Sequence, residues 1–171
     1  MKSFTRIVKY NLPRRKGKRP KTRGPMPHIQ LDQLIDPEVE QKLGEAIFAD
    51  ESLIEKPSGY SLAGARGIFV KNEIEIKLRL PIGSGTEIGH IHPHPELGSM
   101  HLHLPEPLAR ELIAQGWGEF HPLVQQGAFP PHIVMLYAPR DGHEISLIQW
   151  FVEASYKYVT KEEITPFRET E

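Results

Sequence analysis

The sequence predicts an α+β fold: a single domain with a mostly antiparallel sheet and about three packing helices. Its length of 171 residues and its 39% hydrophobic content suit one domain with a sizeable core. Segments with strand-like alternation and segments with helical periodicity are interspersed, without the strict alternation of strand and helix that builds a parallel sheet. No stretch reaches the roughly 18 consecutive apolar residues of a membrane span. We therefore expect a soluble, cytoplasmic protein.

The charge of the chain is divided between a basic N-terminus and an acidic body. Residues 1–25 contain ten Lys and Arg and no acidic residue, which leaves 11 basic and 22 acidic residues, a net charge of −11, for the rest. This charge, together with four prolines, predicts a disordered tail over 1–30, a folded domain over 31–165 and a short tail over 166–171. The basic tail is a candidate arm for nucleic acid or anionic lipid. Because no folded nucleic-acid motif follows it, a solvated tail, or one lying on the acidic body, is the favoured interpretation.

The first elements of the domain follow from capping residues and periodicity. The run Asp36-Pro37-Glu38 supplies an N-cap, a first-turn proline and an acid, so a helix is predicted over 36–49. Strand-like alternation then predicts strands over 60–70 and 73–80.

Five of the nine histidines lie within eighteen residues, and any chemistry is expected there. Alternating apolar residues predict two strands, over 87–92 and 99–104, joined by a Pro- and Gly-rich connection to form a hairpin. Side chains two apart share one face of a strand, and opposed Cβ atoms of an antiparallel pair lie roughly 5 Å apart. His90 or His92 is therefore expected opposite His101.

Three further elements complete the predicted domain. A helix is expected over 108–115, ending at Gly116, and a buried strand over 133–137. Asp141 is the expected N-cap of a last helix over 142–158, which carries a broad apolar face.

Several segments in the same order make the chain resemble the domain of the fungal luciferases, which oxidise 3-hydroxyhispidin with molecular oxygen. The resemblance covers roughly residues 60–161. The matching segments are Glu87-Ile88 with His90 and His92, His101-Leu102, Gly116-Trp117-Gly118-Glu119-Phe120-His121-Pro122-Leu123, Pro130-Pro131, Leu136-Tyr137-Ala138-Pro139-Arg140, and Val152-Glu153-Ala154-Ser155 with Tyr158 and Thr160. The chain departs from the family where a basic tail stands in place of a membrane-spanning segment, and His103 matches a small apolar residue there.

The resemblance implies a cofactor-independent oxidoreductase that binds a small hydroxypyrone or phenolic molecule in a histidine-lined pocket. Histidine can take a phenolic proton near neutral pH, and the imidazolium can stabilise charge developing on oxygen. The residues expected to share the base and oxyanion roles are His90, His92, His101 and His121. The residues considered for substrate contact are Trp117, Tyr137, Arg140 and His94, although an ion pair from Arg140 to the last helix is slightly favoured over a ligand contact.

Two alternatives to this function remain open. The spacing His90-x-His92-x-x-x-Glu96, completed by His101 or His121, suits a cupin-like site for iron, manganese or zinc. The other alternative is a non-catalytic small-molecule-binding module with a basic arm. The chain has no cysteine, no phosphate-binding glycine loop and no Gly-x-Ser-x-Gly elbow, which argues against thiol chemistry, nucleotide binding and a hydrolase triad.

Four residues outside the proposed site also have a predicted position. Glu87 is expected on the face of its strand opposite His90, either orienting an imidazole or forming a structural salt bridge. His28, His132 and His143 are isolated in sequence and are expected at the surface.

Overall fold

The computed structural model describes residues 9–77, 85–93 and 98–169. The described part of the chain contains a two-stranded sheet, a six-stranded sheet and four helices. The strands are β1 (Thr22–Arg23), β2 (Ile29–Gln30), β3 (Leu53–Pro57), β4 (Arg66–Val70), β5 (Glu87–Ile91), β6 (Met100–His103), β7 (Gly118–Phe120) and β8 (Ile133–Leu136). The helices are α1 (Pro37–Phe48), α2 (Glu106–Ala114), α3 (Pro122–Gln125) and α4 (Gly142–Thr160).

The six-stranded sheet has the order β3-β4-β5-β6-β8-β7, and every neighbouring pair in it is antiparallel. The predicted α+β fold with a mostly antiparallel sheet is therefore confirmed. The histidine hairpin, β5 and β6, occupies the centre of the sheet. Both of its strands have neighbours on both sides, so the backbone that carries the histidines is held on both edges.

Helices α1 and α4 begin where their capping residues predict, whereas α2 begins at Glu106, two residues before the predicted start. Asp36 accepts a hydrogen bond from the backbone of Glu38 at the start of α1, and Asp141 caps α4 in the same way. Helices α1 and α4 pack against each other, and α4 also packs on β5 and β6. In β6, Met100 and Leu102 alternate with histidines and join the hydrophobic core. Burial of these apolar side chains places the histidines of β6 on the opposite side of the strand.

Some strands differ from the prediction. The strand predicted over 60–70 begins only at Arg66, and residues 73–77 form no strand, while 78–80 lie outside the described residues. Strand β3 was missed because it lies at the sheet edge with four of its five residues exposed, so it has no apolar alternation. Strand β7 and helix α3 are too short to show a period.

Residues 9–30 are ordered and pack on the domain, so the prediction of a disordered tail is wrong for this part of the chain. Tyr10 and Leu12 are buried, and their backbone N–H groups donate to the carboxylate of Glu111 in α2. Arg15 is also buried and forms an ion pair with Glu144 of α4. The segment is ordered because two apolar side chains enter the core and a basic side chain meets a carboxylate of the acidic body. Its β1 and β2 form the small sheet.

The described part of the chain has no helix that is both long enough and apolar enough to cross a bilayer.

Candidate functional site

A cavity of about 500 Å³ lies between the histidine hairpin and the N-terminal segment. Its polar side chains are almost all imidazoles, and the remaining wall is largely apolar or aromatic. The lining residues are Pro25, Met26, Pro27, His28, Tyr60, Ser61, Leu62, Gly89, His90, His92, His101, Leu102, His103, His121, Phe129 and Ile133. This volume suits a small organic molecule, and a mostly apolar wall with a few convergent polar groups is typical of ligand pockets.

The hairpin register brings three histidines together. His90 pairs directly with His101 across β5 and β6, as one of the two predicted registers requires. The ring centroids of these two residues lie 5.1 Å apart, and the ring of His92 lies 5.4 Å from that of His90 and 4.9 Å from that of His101. Nδ1 of His92 lies 2.8 Å from the hydroxyl of Ser99, which fixes this ring at the end of the strand pair.

Two of these imidazoles belong to a chain of close polar contacts that crosses the site. Nε2 of His90 lies 3.2 Å from Nδ1 of His101, and Nε2 of His101 lies 3.0 Å from Nδ1 of His28. Nε2 of His28 lies 2.8 Å from Oε1 of Glu119 in β7. The hydroxyl of Tyr137 donates to the other oxygen of this carboxylate at 2.9 Å. A carboxylate and three histidines are therefore connected in one line.

Glu87 lies near the other end of this line, on the same side as His90. In the pairing of β4 with β5, Phe69 opposes Glu87 and Ile68 opposes Gly89, so one residue of β5 is extra at this point. Such a bulge breaks the alternation of faces, which is why the prediction that Glu87 faces away from His90 is wrong. Its carboxylate accepts hydrogen bonds from the Ser58 hydroxyl and the backbone of residue 59, and Oε1 lies 3.8 Å from Nδ1 of His90.

His121 joins the cluster from the N-cap of α3. Its Nδ1 accepts a hydrogen bond from the backbone N–H of Leu123, so the neutral ring carries its proton on Nε2. The ring lies 5.0 Å from that of His28 and 5.4 Å from that of His101, and it contacts the ring of Phe129. The cap hydrogen bond holds the ring in a fixed orientation beside the cavity.

Burial keeps these histidines neutral. It lowers the pKa of His90 to about 3, and repulsion from neighbouring imidazoles adds to the effect. Burial, followed by repulsion from His28, lowers the pKa values of His92 and His121 to about 4. The pKa of His101 is also well below its usual value, first through burial and then through the other imidazoles. A neutral imidazole can accept a proton, but without an anion nearby it does not remain cationic at neutral pH.

The two carboxylates at the ends of the line differ in their electrostatics. The pKa of Glu87 is raised by burial, against hydrogen bonds from Ser58 and the backbone of residue 59. Burial acts in the same direction on Glu119, but hydrogen bonds from His28, Thr22 and Tyr137 outweigh it, so the pKa of Glu119 is lowered. Glu119 is therefore the carboxylate better able to stabilise a positive charge within the cluster.

The structure separates the predicted site residues into two groups. His90, His92, His101 and His121 all line the cavity. Trp117, Tyr137 and Arg140 do not line it.

Each residue of the second group has a structural role instead. The indole of Trp117 donates to the carbonyl of Pro13, and Tyr137 is held by Glu119. Arg140 forms an ion pair with Glu144, as the favoured interpretation of this residue predicts. His94 and Glu96 lie outside the described residues.

The expectation that His28 is a surface residue is wrong. His28 is 3% exposed and lies between Glu119 and His101 in the line of polar contacts, although 73 positions separate it from His101. Its neighbours Ile29 and Gln30 are buried as well. His132 is partly buried beside the ring of His103, and His143 is exposed as expected.

Within the described ranges, two sets of three histidines have ligand atoms within 4.8 Å of one another. One set is His90, His92 and His101, and the other is His28, His101 and His121. Neutral imidazoles suit iron, manganese and zinc, so either set fits the donor chemistry of such an ion. Both nitrogens of His101 already face another imidazole at 3.0 and 3.2 Å, so a metal would replace at least one of these contacts.

Part of the chain matches a known protein family. Residues 85–155 match the model of the luciferase domain. This range contains all the cavity histidines except His28, namely His90, His92, His101, His103 and His121. The resemblance to the luciferase domain family is confirmed. His28 lies outside the matched residues.

The curated relatives of this chain are fungal luciferases. The luciferase of Neonothopanus nambi is 29% identical over 174 residues, which cover 89% of this chain and 62% of that protein. The luciferase of Armillaria ostoyae is 35% identical over 78 residues, covering 44% of this chain and 29% of that protein, and the luciferase of Armillaria mellea is 33% identical over a match of the same extent. The chain thus spans less than two thirds of the length of these relatives. No solved structure matches the chain.

Proposed function

We propose that this protein uses molecular oxygen to oxidise a small hydroxypyrone or phenolic molecule bound in the histidine-lined cavity, without an organic cofactor. The observation that carries this proposal is the convergence of neutral imidazoles on one largely apolar cavity. The relatives named luciferase support the class of reaction. Emission of light is not part of the proposal.

The chemistry of the cavity wall selects the ligand. None of the described residues that line the cavity is Lys or Arg, so a permanently anionic group such as a phosphate or carboxylate would have no permanently cationic partner among them. The rings of Tyr60 and Phe129 and the side chain of Leu62 offer apolar surface to a planar molecule. A neutral ring that carries an ionisable hydroxyl group fits both conditions.

The imidazoles supply a base and then a stabilising charge. A neutral histidine removes the hydroxyl proton of the ligand, and the enolate that forms raises the proton affinity of the imidazoles beside it. The electron pair of the enolate carbon then forms a C–O bond to molecular oxygen, which places the negative charge on the outer oxygen. The imidazolium returns its proton to that oxygen, so the product of this step is an organic hydroperoxide and no external reductant is required.

Oxygen consumption tests this proposal. The purified protein mixed with 3-hydroxyhispidin, or with a simpler hydroxypyrone, is expected to consume oxygen in proportion to the substrate added. A double variant, His90→Gln with His101→Gln, is expected to lose at least about 100-fold in rate, the usual effect of removing a general base. His143→Gln is the matched control, since His143 is exposed on α4 away from the cavity. Equal oxygen uptake by the double variant and the control would refute the catalytic role of the cluster.

A metal-dependent enzyme is the second candidate, because two sets of three histidines are close enough to hold an ion. In that case the imidazoles would bind iron, manganese or zinc, which would supply Lewis-acid or redox chemistry. Elemental analysis of untagged protein distinguishes the two candidates. The first predicts metal far below one equivalent, whereas near-stoichiometric metal that is lost in His90→Gln would favour the second.

A further inference from the structure

The line from Glu119 to His90 has only one neutral arrangement of its protons. Ionised Glu119 can only accept, so His28 must donate from Nε2 and its Nδ1 must accept. His101 therefore donates to His28 from Nε2 and accepts from His90 at Nδ1. His90 in turn donates from Nε2. Each of the three rings carries its proton on Nε2, and the direction of donation is the same along the whole line.

This arrangement leaves one basic nitrogen at the far end. Nδ1 of His90 is an acceptor, and it has no hydrogen-bond partner among the residues that the structure describes. His90 lines the cavity, and the ring of Tyr60 packs edge-on against it with centroids 5.6 Å apart. An unpaired buried acceptor costs free energy, so a ligand hydroxyl that donates to it would gain a favourable interaction.

We propose that His90, His101 and His28 form a proton relay that takes the hydroxyl proton of the ligand at His90 and holds the positive charge at His28 beside Glu119. This proposal deepens the proposed function and rests on it for the identity of the ligand class. It assigns to His28 and Glu119 the role of positioning residues, which act through His101 and His90.

The transfer involves one net proton and no other bond change. The ligand hydroxyl gives its proton to Nδ1 of His90, and the proton on Nε2 of His90 moves to Nδ1 of His101. The proton on Nε2 of His101 then moves to Nδ1 of His28. His28 now carries protons on both nitrogens, and the ligand is an anion.

The charge is stabilised at His28 because, among the residues that the structure describes, His28 is the one ring of the relay with a carboxylate within hydrogen-bond distance, at 2.8 Å. After the transfer, Nδ1 of His90 carries the proton that the ligand gave up. When charge develops on oxygen, Nδ1 of His90 returns this proton, and the two transfers between the rings reverse so that His28 becomes neutral again. The titratable groups around the relay, from every element packed against it, are Glu87, His92, His103, Glu119, His121, Tyr60 and Tyr137, with Arg19 beside Tyr137.

NMR of the protein tests the proton positions that the relay requires. Long-range proton–nitrogen correlation spectra distinguish the two neutral forms of each imidazole. The relay predicts the Nε2–H form for His28, His101 and His90 in the ligand-free protein at neutral pH. An Nδ1–H form at either His28 or His101 would break the direction of donation and overturn the proposal without any variant being made.

A chromophoric phenol tests the transfer itself. 4-Nitrophenol changes its absorbance when it ionises, so a titration of the bound probe reports whether the cluster takes its proton. In Glu119→Gln the carboxylate charge is lost while the shape of the side chain is kept, and the pH midpoint of the bound probe is expected to rise by about one unit, a tenfold change in the ionisation equilibrium. Glu55→Gln is the matched control, because Glu55 also forms an ion pair, with Arg66, but does not line the cavity.

A second variant distinguishes loss of the relay from a purely structural effect of Glu119→Gln. His28→Gln is expected to raise the midpoint to a similar extent, and the double variant is expected to show no more than the larger single effect, because both residues act on one proton. Wild-type midpoints in both single variants, with probe affinity intact, would overturn the relay. Fully additive shifts would contradict it as well.

The outcomes also separate the relay from the proposed oxidation. If the probe ionises in a Glu119-dependent way but no hydroxypyrone consumes oxygen, the relay is retained and the oxygenase function fails. If oxygen is consumed and Glu119→Gln leaves both the rate and its pH profile unchanged, the function is retained and the relay fails.

Discussion

Replacing Arg15 with methionine should destabilise the protein substantially, because Arg15 attaches the N-terminal segment to the body from a buried position. The side chain is 4% exposed, and its guanidinium donates to the carboxylate of Glu144 at 3.2 Å and to the carbonyl of Ala138 at 2.8 Å. It also lies over the rings of Trp117 and Tyr137, at 5.6 and 5.5 Å from the centroids.

The magnitude follows from the groups left behind by Arg15→Met. Removing one partner of a buried ion pair costs about 3–5 kcal/mol when the other charge is left unpaired. Here Arg140 continues to pair with Glu144, which reduces the cost, while the buried carbonyl of Ala138 loses its donor, at about 1–3 kcal/mol. Methionine retains much of the apolar contact of the Arg15 stem. We expect a net loss of about 2–3 kcal/mol in the free energy of unfolding.

Urea denaturation measures this loss, and Arg110→Met provides the control. Arg110 pairs with Glu106 on the exposed face of α2, where its side chain is 63% exposed, and such a pair contributes about 0.3–0.5 kcal/mol. Equal destabilisation by the two variants would refute the claim that Arg15 holds the segment in place. Since the same segment carries His28, Arg15→Met should also weaken binding of a phenolic probe in the cavity.

Three further predictions concern the pH dependence of stability, the close packing at Gly89 and the position of Trp117 outside the cavity. Burial lowers the pKa of His90 to about 3 in the folded state, from 6.5 in the unfolded chain. The contribution of His90 to the free energy of unfolding is therefore greatest above pH 6.5 and falls as the pH decreases below that value. One such histidine costs about 2 kcal/mol between pH 7 and pH 5, and urea midpoints that do not change over this range would contradict the burial. Gly89→Ala places a Cβ 2.3 Å from a carbonyl oxygen of β6 and should cost more than about 2 kcal/mol, while Gly142→Ala, which meets nothing within 4 Å, should not; calorimetry compares the two. Trp117→Phe should lower thermal stability and, because the indole holds Pro13 of the segment that carries His28, should reduce the affinity of the cavity for 4-nitrophenol no more than Arg15→Met does; a larger loss of affinity would place the indole in the site.

The histidine hairpin was predictable because its determinants are local. Alternation with a period of two placed His90 and His101 on one face, and the short connection limited the register to two choices. Capping residues located α1 and α4 equally well, since Asp36 and Asp141 act on backbone groups within three residues.

The rest of the site depends on contacts between distant parts of the chain. His28 lies 91 positions from Glu119, and no periodicity in either segment indicates that they meet. Composition predicted disorder at the N-terminus, where residues 9–30 are ordered. The average charge of a segment does not reveal that one of its side chains, Arg15, forms a buried ion pair with Glu144. The bulge that turns Glu87 toward His90 is a property of strand pairing and is invisible in the pattern of one strand.

Under the proposed function, imidazoles of this cavity direct molecular oxygen onto a hydroxylated ring without a metal. The most direct test is a single-turnover reaction of protein shown to be metal-free, with a hydroxypyrone and isotopically labelled molecular oxygen, followed by mass spectrometry of the product. The proposed oxygenation predicts labelled oxygen in the product and loss of that label in the His90→Gln, His101→Gln variant. An unlabelled product, or labelling that appears only after iron, manganese or zinc is added, would contradict it.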